Sequence, residues 1–376
     1  MRYRRFGKTE RSLSLFSLGT MRFDSAATAQ AVLSSAIAQG INHIETAPAY
    51  GASERYIGQA LAGIGIASSQ RAQLTITSKL TPTTPAQDIE PAIKASLERL
   101  GIKCLDCLAI HGINTAEHLH QVEDQMLAAL AAAQQKGLFH HLGFSTHAPL
   151  SVIQAAIATQ AFSFINLHYN FFFQRNAAAI AQAHQQDMGI FIISPADKGG
   201  RLYTPPDKLK HLCQPFDPLS LSYRWLLSDA RITTLSIGPA TAAELDWPLQ
   251  VADADGALSH EEAAAIVRLT QTLETALGSD RCAQCFECLP CPEDINIPEV
   301  LRLRNLAVAY DMQAFGQYRY GMFENAGHWF PGRRGDRCTD CGDCLPRCPE
   351  KLDIPTLLRD THTRLKGKGR RRLWGD

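Results

Sequence analysis

No apolar run in the 376-residue sequence approaches the roughly 20 residues that span a bilayer. Neither charge is in surplus, Lys plus Arg and Asp plus Glu both standing at 37. The first absence leaves no membrane span to expect. The second removes the electrostatic footprint of a nucleic-acid or anionic-membrane binder, so the substrate must be argued from a site, not from the field of the whole molecule. The amino-terminal stretch MRYRRFGKTERSLSLFSLGTMRF is basic and then alternating, and it lacks the apolar core of about 7 to 15 residues that an export signal carries. A soluble, cytosolic protein is expected. No G-x-G-x-x-G follows a strand pattern, so the glycine-rich phosphate cradle of dinucleotide-binding folds is missing. Cysteine is what the chain has in plenty. Eleven of them, without an export signal, point to metal or redox chemistry and away from disulfides.

The length exceeds one ordinary domain and suits an eightfold barrel of about 250 residues with an appendage. Residues 1–9, the FGKT turn and the alternation Leu13, Leu15, Leu18 predict a hairpin running into a first barrel strand. Further strands are predicted at 43–47, 74–79, 105–110, 140–145, 164–169, 190–194 and 233–237. Helices alternate with them at 28–39, 53–61, 88–100, 119–136, 149–159, 176–186 and 218–228. In the helix 88–100, Ile89, Ile93, Leu97 and Leu100 share one face between the start signal Pro85 and the stop signal Gly101. Eight strands alternating with helices imply a closed (β/α)8 TIM barrel over residues 1–258. A linker helix at 259–278, a small cysteine-rich domain at 279–363 and a basic tail at 364–376 complete the plan.

The stretch 43–61, HIETAPAYGASERYIGQAL, reads as strand, loop and helix, with Ser53 as the helix cap. It leaves Glu45 at the carboxyl end of a strand and Tyr50 on the loop beyond, where α/β barrels place their chemistry. This stretch resembles the aldo-keto reductases, matching their pattern at Thr46, Ala47, Tyr50, Gly51, Ser53, Glu54 and Gly58, with Glu45 where the family has Asp. The resemblance implies a catalytic group of Glu45, Tyr50, Lys79 in ITSKL and His111 in LAIHG, acting on a small-molecule carbonyl substrate. Tyr50 would give its proton to the carbonyl oxygen, Lys79 would pull the phenol's pKa down, Glu45 would hold Lys79 and His111 would orient the carbonyl. It also implies a nicotinamide site at Ser145 in GFSTH, Asn166 in FINLHYN, Ser194, Gly238 in SIGPAT and Thr241. Three positions depart from the family: Ile193 replaces the stacking aromatic, Ala240 a basic residue and Glu244 a Gln. A missing base and an added acid where a 2'-phosphate would sit favour NAD(H) over NADP(H).

Cys282, Cys285, Cys288 and Cys291 recur at three-residue intervals before Pro292, and Cys338, Cys341, Cys344 and Cys348 repeat the theme before Pro349. The text beyond each set is nearly duplicated, PEDINIP at 292–298 against PEKLDIP at 349–355. Such spacing lets three thiolates wrap one face of a cubane. Zinc on the same thiolates is the alternative. The pattern resembles two-cluster ferredoxins, which implies two 4Fe-4S clusters with crossed fourth ligands: Cys282, Cys285, Cys288 and Cys348, and Cys338, Cys341, Cys344 and Cys291. Cys104 and Cys107 fall on opposite faces of a predicted strand and read as packing residues; Cys213 carries no signal. The segment 253–262 mimics half a calcium loop through Asp253, Asp255, Gly256 and Glu262, but its first ligand position is Val251. Ser259 capping the following helix is the preferred reading. The tail RLKGKGRRRLWGD is expected to be solvated, with docking to an acidic partner as the alternative.

A nicotinamide gives two electrons as hydride whereas a 4Fe-4S cluster takes one, so a ferredoxin-like carrier is the expected electron partner. The other reading is a non-enzymatic electron-transfer or regulatory protein that keeps the barrel as a scaffold.

Overall fold

The computed structural model describes residues 1–65 and 68–370; residues 371–376 of the expected tail lie outside the described residues. The chain divides into two compact units, Met1–Gly199 with Ser222–Ala257, and Gly200–Leu221 with Leu258–Asp376.

The first unit opens with an antiparallel hairpin of β1 (Tyr3–Arg5) and β2 (Ser12–Ser14), with Tyr3 opposite Ser14. Among the described residues, eight parallel strands then close a barrel. They are β3 (Phe16–Gly19), β4 (His43–Glu45), β5 (Thr75–Leu80), β6 (Leu105–His111), β7 (Phe139–Ser145), β8 (Phe164–Leu167), β9 (Gly189–Ile192) and β10 (Thr234–Ile237), with β10 returning to β3. This is the (β/α)8 fold that the alternation implied. The hairpin packs on the amino-terminal end of the barrel, where Phe6 and Leu13 are fully buried with Cys107, Phe164 and Phe191. Gly7 permits that approach: its φ is +52°, and a Cβ would stand 2.3 Å from the Gly189 nitrogen.

Local signals explain most helix boundaries. The helix Ala86–Leu100 starts at Pro85, buries Ile89, Ile93, Leu97 and Leu100, and ends at Gly101 with φ 65°. Gly58 lets the helix Ser53–Ile64 lie against it, since a Cβ there would meet the Arg99 carbonyl oxygen at 2.4 Å. Two expectations need correction. The predicted 119–136 helix begins at Ala116, because Thr115 accepts the His118 N–H as its cap, and it carries a π-turn over Val122–Met126. Ser53 does not cap its helix. Ala52 holds that position, and the Ser53 hydroxyl contacts Thr20 Oγ1 at 2.7 Å and Thr46 Oγ1 at 3.0 Å.

In the second unit the helix His260–Leu277 begins with a capping box in which Ser259 and Glu262 serve each other's backbone N–H. The acids of the half calcium loop are engaged in the first unit, Asp253 with the Met1 ammonium and Asp255 with Arg2, and Val251 is buried. The duplicated text folds twice the same way. Asn296 (φ −78°, ψ 71°) and Asp353 (φ −75°, ψ 73°) cap the helices Ile297–Tyr310 and Ile354–Leu365. Left-handed residues recur in matching places, Gln284 with Asp340 at 58° and 57°, and Asp294 with Lys351 at 54° and 53°. The helices Asp207–Cys213 and Gln313–Tyr320 were not anticipated, and the first buries Cys213. The tail is described as far as Arg370. Leu365 is fully buried and the Arg370 N–H donates to the Gly321 carbonyl at 2.8 Å, while residues 366–370 are all exposed.

Candidate functional site

Strand register brings the carboxyl ends together: Glu45 lies beside Thr77, Lys79 beside Ala109, His111 beside Ser145, and Ser145 beside Asn166. Lys79, only 2% exposed, meets the Glu45 carboxylate in direct contact. Its ammonium also donates to the Thr46 carbonyl at 2.9 Å and to the Tyr50 hydroxyl oxygen at 3.0 Å. Tyr50 is held by a turn in which its N–H donates to Ala47 O at 3.0 Å and its carbonyl accepts from Ser53 N at 3.2 Å. The His111 ring and the phenol form a T-shaped pair, with centroids 5.6 Å apart and planes at 87°. All four residues singled out in the sequence therefore meet at one end of the barrel.

Electrostatics alter the expected reason for Tyr50. Burial raises the phenol above its ordinary 10 and the Glu45 charge adds to this, while the ammonium and hydrogen bond of Lys79 oppose them without prevailing. The proton is thus retained at neutral pH. Burial alone would lower Lys79, but the adjacent Glu45 charge and the Tyr50 contact outweigh it and raise the ammonium's pKa. Glu54 supports this arrangement from behind, accepting from Ser78 Oγ at 2.5 Å and Arg99 Nε at 2.7 Å. His43 lies within the barrel between Ser17 Oγ at 2.7 Å and Thr77 Oγ1 at 2.8 Å, and burial lowers it to about 3.

The opposite side of the mouth is less complete. Asn166 is fully buried, and neither its Oδ1 nor its Nδ2 has a protein partner. Ser145 Oγ has a 3.4 Å contact with the Ile110 carbonyl. An unpaired amide beside a hydroxyl fits a ligand carboxamide, so these residues suit a nicotinamide. Ile193 packs on the Phe191 core in place of a stacking ring. Ser194 (φ 50°) accepts the Lys198 N–H at 3.1 Å, Gly238 is exposed, and Thr241 opens the turn Ala242–Leu245. Arg22 was missed in the sequence: it donates to the Gly238 carbonyl at 3.0 Å and pairs with Glu244 at 2.5 Å, so a base does reach the last loop. Nothing local in the sequence signals that pairing across 222 positions. His147 and His168 were also passed over, although a period of two from Ser145 and Asn166 would have found them.

Among the cysteines, Cys107 joins the barrel core, while Cys104 precedes β6 and contacts His140 Nε2 at 3.4 Å. Cys291, Cys338, Cys341 and Cys344 line one cavity with Ile295 and Leu358. Burial pushes Cys282 up to about 11, with Cys285 and Cys348 adding to the rise. Burial likewise pushes Cys288 up to about 12, with Cys282, Cys285 and Cys344 adding to the rise. Cys344 rises through burial and through Cys338, Cys341 and Cys291. Electrostatic neighbourhood therefore groups the thiols across the two copies. Four thiols around one cavity suit a polynuclear cluster.

Residues 16–271 match the profile of the aldo/keto reductase family, and residues 281–352 that of a 4Fe-4S dicluster domain, which favours iron-sulfur over zinc. An uncharacterized oxidoreductase of Bacillus subtilis is 24% identical over 247 residues, 64% of this chain and 79% of that one. An aldo-keto reductase of Mycolicibacterium vanbaalenii is 36% identical over 103 residues, 27% of this chain and 35% of its own. A 7-acetyl-epi-neemfruitin B aldo-keto reductase of Melia azedarach is 35% identical over 109 residues, 28% of this chain and 33% of its own. The last two matches span about a third of those relatives. The holo form of an aldo-keto reductase from Bacillus halodurans shares the fold, with a TM-score of 0.62 at 20% identity over 71% of this chain and 96% of that one. Among the described residues no helix is long and apolar enough to cross a membrane.

Proposed function

Because this chain belongs to the aldo/keto reductase family and carries a 4Fe-4S dicluster domain, we propose that it is an oxidoreductase that reduces a small carbonyl compound at Tyr50. The observation that carries the reading is the Lys79 ammonium, joined at once to Glu45, the Thr46 carbonyl and the Tyr50 hydroxyl beside His111. A carbonyl oxygen seated between the phenol and the imidazole takes the Tyr50 proton as hydride reaches its carbon. Lys79 offsets the negative charge left on the phenolate, and Glu45 keeps Lys79 charged and in place. Ser145 and Asn166, together with Ser194, Gly238 and Thr241, would hold a nicotinamide, which would supply that hydride. Arg22 is committed to Glu244, which supports NADH over NADPH.

In the cysteine-rich domain, Cys282, Cys285, Cys288 and Cys348 would hold one cluster, and Cys338, Cys341, Cys344 and Cys291 the other. Two 4Fe-4S clusters supply one-electron storage when bound. An external carrier of ferredoxin type is the proposed partner, since no G-x-G-x-x-G follows a strand in the sequence to suggest a flavin that would split a hydride into single electrons.

The test is anaerobic. Protein prepared without oxygen should be brown, with about eight irons per chain, and should bind NADH more tightly than NADPH in a fluorescence titration. Excess NADH should leave the cluster absorbance unchanged, and a reduced ferredoxin should bleach it. Bleaching by NADH in flavin-free protein would refute the external-carrier reading, and bleaching by neither donor would assign the clusters a structural role. Absence of NADH binding would remove the hydride scheme.

A further inference from the structure

The two copies of the cysteine text share the lead Asp-Arg-Cys, at 280–282 and again at 336–338, but only the second follows a further arginine pair, Arg333 and Arg334. The first copy places its thiols without such a pair. The two arginines are therefore surplus to the cysteine fold.

Three guanidiniums meet on one acid. Glu324 accepts from Arg337 Nε at 2.8 Å, Arg334 Nε at 2.9 Å and Arg333 Nε at 3.4 Å. Its backbone stands in the left-handed region at φ 66°, and its N–H donates to the Gly332 carbonyl at 3.3 Å, so the chain itself sets the acid in place. The Arg337 hydrogen bond, joined by that of Arg334, holds the Glu324 carboxyl down at about 2, and the grouping persists across the physiological range. A carboxylate accepts roughly four hydrogen bonds, whereas each guanidinium offers about five donors. Donors are thus left over, and the side chains are 43% exposed at Arg337, 40% at Arg333 and 24% at Arg334.

The group adjoins the cavity of the second set of thiols. The Arg333 N–H donates to the Asp294 carbonyl at 2.9 Å, and Arg333 forms a parallel bridge with Ile295, which lines that cavity with Cys291, Cys338, Cys341 and Cys344. Arg337 directly precedes Cys338. The tail brings more charge to the same turn. A Cβ on Gly321 would stand 2.6 Å from the Lys368 carbonyl oxygen, and one on Gly369 would stand 2.9 Å from Asn325 Nδ2, so residues 368–370 lie along the turn that carries Glu324. Lys366, Lys368 and Arg370 are all exposed. The acids nearby are Glu293, 3.6 Å from Arg333, Asp294, Glu324 and Asp336, which meets His362 at 3.5 Å. Six bases thus face four acids on this side, whereas Asp280, Arg281 and Glu287 flank the first copy with two acids and one base. An excess of one sign beside a redox centre steers a partner of the other sign toward it.

We propose that Arg333, Arg334 and Arg337, with Lys368 and Arg370 of the tail, form the surface on which an acidic one-electron carrier docks to reduce the second cluster. This rests on the cluster and external-carrier reading above and locates the point of entry. The carrier's reduced cluster loses one electron and the cluster held by Cys338, Cys341, Cys344 and Cys291 gains it, with no bond made or broken.

The test is anaerobic stopped-flow reduction of the full-length protein by a reduced acidic ferredoxin of the plant 2Fe-2S type, followed as salt is raised. The second-order rate constant should fall tenfold or more between low salt and about 0.5 M. Arg333→Glu with Arg334→Glu should lower it tenfold or more at low salt and flatten the salt dependence. Reduced methyl viologen, a small cation, should reduce parent and variant alike, with iron content unchanged. Lys368→Glu with Arg370→Glu, on the exposed tail, should lower the ferredoxin rate about threefold and serves where the first variant does not fold. A parent reduced by ferredoxin at a salt-independent rate, or a parental rate in both variants, would overturn the surface and leave the carrier reading intact. A parent that methyl viologen reduces and ferredoxin does not would overturn both. Binding of a DNA oligonucleotide that the Arg333→Glu, Arg334→Glu variant loses, with a parental ferredoxin rate in that variant, would give the surface to nucleic acid and overturn the proposal.

Discussion

On the β4 and β5 side of the barrel mouth, Glu45, Lys79 and Tyr50 satisfy one another, with a backbone carbonyl completing the Lys79 ammonium. On the β8 side Asn166 is buried just as deeply, yet its amide finds nothing in the protein. A satisfied buried network is rigid and already holds its charges where a reaction needs them, whereas an unsatisfied buried amide carries a desolvation penalty that a ligand relieves. The two sides therefore differ in what removing a residue should do. On the first it should cost rate; on the second it should cost binding and gain stability.

The largest effect is expected at Tyr50. Tyr50→Phe should lower carbonyl reduction by about 10²–10⁴-fold, the usual worth of general acid catalysis, while NADH affinity and melting temperature stay near the parent's. Steady-state rates with a small aldehyde and a fluorescence titration read the two arms. A parental rate in the Phe variant would remove the general-acid role.

The opposite side sharpens the contrast. Asn166→Leu replaces an unpaired amide with an apolar group of similar size, so the protein should gain about 1–2 kcal/mol of stability. NADH should bind tenfold more weakly or worse, about 1.4 kcal/mol. Denaturant melts and the same titration decide it. A destabilised Leu variant would mean that Asn166 is structurally paired and not waiting for a ligand.

A third test concerns His43, beneath the satisfied side. Its folded pKa is lowered to about 3 by burial, with Lys79 and Arg11 adding to the effect, against 6.5 when free. The stability this contributes is fully present above pH 6.5. As pH falls from there toward 3 the unfolded chain takes the proton first, at a cost of up to about 1.4 kcal/mol per pH unit. His43→Gln should flatten the slope of stability against pH between 6.5 and 4, whatever its absolute stability. An unchanged slope would mean that His43 is charged in the folded protein.

The sequence makes this fold legible because its signals are local and periodic. Pro85 and Gly101 bracket a helix, and the duplicated cysteine text folds twice with matching dihedral angles at Asn296 and Asp353. Glu45, Lys79 and His111 are readable because each lies at or beside the carboxyl end of a strand, so the barrel itself brings them together. What the sequence conceals is balance and pairing at a distance. The Tyr50 phenol rises where Lys79 alone suggested a fall, because burial and Glu45 act on the same atom. Arg22 reaches Glu244 only because β3 and β10 are neighbours in the closed barrel. Gly200–Leu221 joins the cysteine-rich unit, although its position in the chain lies inside the barrel's span.

The smallest expected effect tests the one residue that departs from the family within the satisfied side. Glu45 has a methylene more than Asp, and the barrel makes room for it: its Oε2 lies 3.8 Å from where a Cβ on Gly19 would stand. Glu45→Asp withdraws the carboxylate toward β4, but Lys79 keeps the Thr46 carbonyl at 2.9 Å and the Tyr50 oxygen at 3.0 Å as holding points. The retreating charge also lifts the phenol less, which offsets part of the weaker grip on Lys79. These opposed changes predict carbonyl reduction within tenfold of the parent, under about 1.4 kcal/mol in the barrier, with the NADH dissociation constant unmoved. A loss as large as that of Tyr50→Phe would show that Lys79 depends on the longer acid for its place, and that the satisfied side tolerates no slack at Glu45.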